Sequence, residues 1–116
     1  MRISDNVDKY LQYYFDSIHI MGNLSIVALQ QMAELKGQGA EYISCSFDPD
    51  DEDFVEGKVT LFFWKPADDE DTIVFVSNKV FYDNLEELCK KYLKSNTQDT
   101  EKVNDLLKQI RIHLLL

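Results

Sequence analysis

Apolar residues fall at Val7, Leu11, Tyr14, Phe15 and Ile18, spacings that put them on one helical face. The pattern predicts a helix from about Ser4 to Ile18. Ser4 or Asp5 can offer a short side-chain oxygen to an orphan N–H at its start. Gly22-Asn23 breaks the pattern, and Asn23 is placed to cap a second helix with Leu24, Val27, Ala28, Met32 and Leu35 inward. Gly37-Gln38-Gly39 ends that helix, because glycine accepts the left-handed conformation found there.

The period then changes to two. Ile43, Cys45 and Phe47 alternate with Ser44, Ser46 and Asp48, as in a strand with one buried face. Val59, Leu61 and Phe63 form the inward set of a second strand, with Thr60, Phe62 and Trp64 on its other face. A third strand, Thr72 to Val76, is apolar on both faces and so well covered. Pro66 falls in the loop before it, where a missing N–H does no harm. Helical spacing returns from about Asn78 to Lys94, through Phe81, Leu85, Leu88, Cys89, Tyr92 and Leu93. After a polar break at 95–100, a last helix gathers Val103, Leu106, Leu107, Ile110 and Leu114.

The expected order is α-α-β-β-β-α-α, one α+β domain over residues 1–116. The connections between strands are too short for parallel crossovers. The expectation is a three-stranded antiparallel meander, strand two in the middle, flanked by four helices.

Charge changes the picture. Twelve Lys and Arg face 21 Asp and Glu, a formal net charge of −9. Such a surface repels phosphate backbones and anionic lipid, so nucleic acid and membranes are poor partners. It attracts basic proteins and accelerates their association. There is no basic-then-apolar leader and no apolar run of membrane-spanning length, so the expected compartment is the cytoplasm.

Little suggests catalysis. Cys45 and Cys89 fit no metal-binding spacing and sit at core-like positions, as buried reduced thiols do. His19 has no nucleophile or carboxylate fixed near it in sequence. His113 falls in a last helical turn, where a cation suits the helix dipole. No phosphate loop, nucleophile elbow or metalloprotease pattern occurs. No catalytic residue, cofactor, metal or small-molecule substrate is assigned.

The acids are concentrated. Asp48, Asp50, Asp51, Glu52, Asp53 and Glu56 put six carboxylates in nine residues, with Phe54 among them. No basic residue lies between Lys36 and Lys58. Asp68, Asp69, Glu70 and Asp71 add four more in the next loop. Adjacent carboxylates repel, so something besides folding should favour them. A calcium loop from Asp48 fails at its sixth and twelfth positions, which are Asp53 and Val59. Three readings remain: a weak divalent-cation site, a solvated turn that blunts sheet edges, and a docking surface for Lys and Arg, with Phe54 as an apolar anchor or else a lid on the core. Phe62 and Trp64 could serve an interface or lie under a helix. In a meander the two loops stand at opposite ends of the sheet, about 20–25 Å apart, and the first is the better candidate.

The chain resembles the ribonuclease-toxin immunity proteins of bacterial contact-dependent growth inhibition systems. The resemblance runs from Tyr14 to Arg111. It rests on Tyr14-Phe15, Met21, Leu29, Gly37-x-Gly39, Cys45-x-Phe47-Asp48, Phe54 and Glu56-Gly57-x-Val59. It continues through Phe81-Tyr82, Leu85, Cys89, Tyr92, Val103-Asn104-x-Leu106-Leu107 and Ile110-Arg111. It implies a cytoplasmic immunity protein that binds one cognate, basic C-terminal nuclease domain in a 1:1 complex and blocks its active site or substrate groove. The alternative is an acidic adaptor that binds another basic protein.

Overall fold

The computed structural model describes all 116 residues. The chain runs β1 (Arg2–Ser4), α1 (Val7–Ser17), β2 (His19–Ile20), β3 (Asn23–Leu24), α2 (Ile26–Met32) and β4 (Lys36–Gln38). It continues through β5 (Ile43–Ser46), β6 (Lys58–Phe63), β7 (Thr72–Ser77) and α3 (Asn78–Leu93), then a 3₁₀ turn (Thr97–Asp99) and α4 (Thr100–His113).

The three-stranded meander is overturned. The main sheet has five strands in the order β1-β7-β6-β5-β4, and β1 runs parallel to β7. A separate hairpin pairs β2 with β3. The three strands with clear alternation, β5, β6 and β7, do pair antiparallel in sequence order, inside the larger sheet. Loop length excluded parallel pairing only between neighbouring strands. β1 reaches β7 from the far end of the chain, where no crossover length limits it.

β1 and β4 have three residues each, too few to show a period. β4 also carries glycine at its inward position. Gly37 stands opposite Cys45, and a Cβ there would sit 2.5 Å from the Tyr14 hydroxyl and 2.9 Å from Met32 Cγ. A Cβ on Gly39 would collide with the Ser17 side chain. The two glycines therefore provide space for α1 and α2 against the sheet edge. The helix-end role assigned to them is wrong: α2 stops at Met32, and Leu35 takes the left-handed conformation at φ 79°.

Asn23 is not a cap either. It pairs with Ile20 in the hairpin, whose two-residue turn holds Met21 at φ 52° and Gly22 at φ 83°. Ser25 caps α2, its hydroxyl accepting the Ala28 N–H at 3.2 Å. α1 begins at Val7 rather than Ser4, because Ser4 belongs to β1.

Every buried helical residue belongs to one core, shared with Ile43, Cys45, Val59, Leu61, Phe63, Val74 and Val76 of the sheet. All four helices thus lie on one side. Phe81 is its aromatic centre, 5.4 Å from Phe15 and 6.1 Å from Tyr14 between ring centroids. Phe62, Trp64, Ile73 and Phe75 point to the other side and lie outside that core.

Candidate functional site

Two loops and a strip of sheet make up the candidate site: the β5–β6 loop folds over the helix-free side, the β6–β7 loop at the other end of β6 folds onto α1, and the outward residues of the strands lie between them.

The β5–β6 loop, residues 47–57, is pinned by its own side chains. The Ser46 hydroxyl donates to the Asp51 carboxylate, and the Lys36 ammonium stands 3.3 Å from Asp51 and 3.8 Å from Asp48. Asp48 accepts the Asp50 N–H at 2.9 Å, closing a tight turn. The Thr60 hydroxyl donates to the Asp53 carbonyl at 3.2 Å. These bonds draw the loop back over β5 and β6, so Ser46 and Thr60 are buried there. The hydrogen bond from Ser46, aided by Lys36, lowers the Asp51 pKa despite partial burial. Asp48 and Asp51 therefore hold the loop in shape. Asp50, Glu52 and Glu56 are exposed, while Asp53 and Phe54 are half-buried.

Lys36 is the counter-ion that the run of sequence from Lys36 to Lys58 conceals. It lies opposite Ser46 in the strand register, beside the start of the loop.

The β6–β7 loop, residues 64–71, uses its acids differently. Asp68 accepts the Tyr10 hydroxyl at 2.7 Å, the Thr72 hydroxyl at 2.8 Å, and both Arg2 Nη2 and the Asp69 N–H at 2.9 Å. Burial opposes its ionisation, but the bonds from Tyr10, Thr72, Asp69 and Arg2 outweigh it and hold the carboxyl at about 2. Asp71 accepts the Lys65 N–H at 2.9 Å, and Glu70 lies 3.8 Å from Arg2. Asp69, Glu70 and Asp71 are exposed.

Between the loops, Phe62 and Trp64 stand on one face of β6 with ring centroids 5.5 Å apart. They form a wall of a groove of about 510 Å³ whose lining also includes Glu34, Lys36, Gln38 and Asp51.

The remaining reactive groups are occupied or buried. The His19 Nδ1–H donates to the Phe15 carbonyl at 2.6 Å. Burial pushes both thiols, Cys45 and Cys89, up to about 12. No group of three or more His, Cys, Asp or Glu side chains is arranged to hold a metal ion, and no helix is long and apolar enough to cross a membrane.

A comparison with curated proteins finds no match. The family model described as CDI immunity protein matches residues 7–107, which takes in α1, the whole β5–β6–β7 unit with both acidic loops, and most of α4. With a match over that span, the chain belongs to the CDI immunity proteins, the family that protects a cell from a toxin of contact-dependent growth inhibition.

Proposed function

We infer that this immunity protein neutralises a basic nuclease domain, of the ribonuclease class, by laying loop 47–57 against its substrate groove. The observation that carries the reading is the pinned loop: Asp50, Glu52 and Glu56 face solvent from a backbone fixed by Ser46, Lys36 and Thr60. A nuclease must present Lys and Arg to hold phosphate. Carboxylates already fixed in space meet those cations at a smaller entropic cost than mobile ones. The chain works in the cytoplasm, one copy to one toxin, by occlusion and without chemistry of its own. The bonded His19 ring and the two buried thiols agree with that role.

Association kinetics against the toxin domain encoded beside this chain test the reading. The variant D50N/E52Q/E56Q removes three charges and leaves the pinning residues in place. Association should slow by about tenfold or more at low salt and converge on the wild type as salt rises. Wild-type association rates for this variant at every salt concentration would reduce loop 47–57 to a solvated turn.

A further inference from the structure

An antiparallel sheet with one face in water ordinarily alternates apolar-in and polar-out. The helix-free face departs from that rule in its centre. Phe62, Trp64 and Phe75 are half-buried there, and Ile73 is buried between its register partners Phe62 and Ile3. Ile3 is 67 % exposed. An apolar patch with a polar rim marks an interaction surface.

The rim defines the occupant. The loop that folds over this face presents Asp50, Glu52 and Glu56 to solvent, and the loop at the other end of β6 adds exposed Asp69, Glu70 and Asp71, while Asp68 is turned to α1. The cations nearby are Lys36, already held by Asp48 and Asp51, Lys58 at the start of β6, and exposed Lys65 just after Trp64, so the acids outnumber them. A matching partner has an apolar centre and a surround of Lys and Arg. The groove beside Trp64 adds detail, with an aromatic wall at Phe62 and Trp64, the carboxylate of Glu34, and the Lys36–Asp51 ion pair. A planar guanidinium suits that lining, because it stacks on an aromatic ring while pairing with a carboxylate.

Resting on the function inferred above, we propose that the open sheet face is the seat of the toxin domain, with Phe62, Trp64 and Phe75 as its apolar centre and the groove at Trp64 taking a toxin arginine. Five strands span about 19 Å and β6 runs about 20 Å, but β1 and β4 have three residues each, so the sheet face alone offers less than about 400 Å². A standard complex buries about 800 Å² per partner, so the sheet and its rim loops must act together.

Trp64 is the only tryptophan in the chain, which provides a direct probe. With 5-fluorotryptophan incorporated, its single ¹⁹F resonance should shift and lose solvent sensitivity when the toxin domain is added. Trp64→Ala should raise the dissociation rate by about 30-fold, as for a central aromatic anchor, and leave association within about threefold at all salt concentrations. Phe75→Ala supplies a second measurement should Trp64→Ala lower the melting temperature. An unmoved resonance in a complex that still forms with salt-dependent rates would overturn this proposal and leave the function standing. Failure of the wild-type chain to bind the toxin would overturn both. A concentration-dependent dimer that Trp64→Ala dissolves would assign the face to a second copy and also overturn the proposal.

Discussion

Loops 47–57 and 64–71 read alike as sequence, each a dense run of carboxylates between two strands, yet they use those carboxylates in opposite ways. In the first, Asp48 and Asp51 fix the backbone so that Asp50, Glu52 and Glu56 stand free. In the second, Asp68 turns inward and joins Arg2 of β1, Tyr10 of α1 and Thr72 of β7 at one carboxylate. The difference lies in the counter-ions. Lys36 is one strand away from the first loop, whereas Arg2 is at the other end of the chain. An acidic run is thus two things at once, a set of struts and a set of free charges, and only the geometry separates them.

The largest expected effect falls on the inward carboxylate. Asp68→Ala leaves the Tyr10 and Thr72 hydroxyls and the Arg2 guanidinium without their shared acceptor. Urea denaturation should show a loss of about 2–3 kcal/mol, the scale of hydrogen bonds to a charged group. The triple variant of the first loop should stay within about 0.5 kcal/mol of wild type or gain slightly, because it removes repulsion. Equal losses for the two would erase the contrast.

Next comes pH. The folded Asp68 carboxyl titrates at about 2, below the ordinary value of 3.8. A depressed carboxylate stabilises the fold above its unfolded pKa, and that contribution disappears as pH falls from about 4 to about 2. The shift corresponds to about 1–2 kcal/mol once partial solvent exposure is discounted. Asp51 is lowered as well and acts in the same direction. Unfolding free energies followed from pH 5 to pH 2 should fall more steeply for wild type than for Asp68→Asn. Parallel curves would show that Asp68 is not the group responsible.

The smallest effect concerns Lys36, more than half exposed in its two ion pairs. Lys36→Met should cost under about 1 kcal/mol, as exposed pairs do. It should still speed amide exchange in residues 48–53, because two of the ties on Asp48 and Asp51 are lost. Unchanged exchange there would leave Ser46 and Thr60 as sufficient anchors.

The strongly periodic parts of this fold were legible from the residues. β5, β6 and β7 show their alternation, and α3 begins at Asn78 and ends within a residue of the expected Lys94 because its apolar stripe is long and Ser77 caps it. β1 and β4 left no such trace. Arg2–Ser4 has one apolar residue, and Lys36–Gln38 hides its inward position behind a glycine that makes room for Tyr14. The same blindness to distant partners affected the site. The two acidic runs are plain to read, but nothing near Asp68 announces Arg2, 66 positions away, and nothing near Asp51 announces Ser46 and Lys36 as its holders. Whether a helix covers Phe62 and Trp64 depends on how four helices distribute, which no local pattern specifies.

β6 carries the two sides of the molecule on alternate residues. Val59, Leu61 and Phe63 enter the core, while Thr60, Phe62 and Trp64 face away from it. Substitutions at the outward positions can therefore accumulate while the inward ones stay constant, so the outward face can change on an unchanged scaffold. The same interleaving makes the strand intolerant of changes in length. One residue inserted into β6 would rotate every later side chain to the opposite face, burying Phe62 and Trp64 and exposing Leu61 and Phe63. Lineages of this protein should diverge by replacement within β6, and by insertion only in the loops at its two ends.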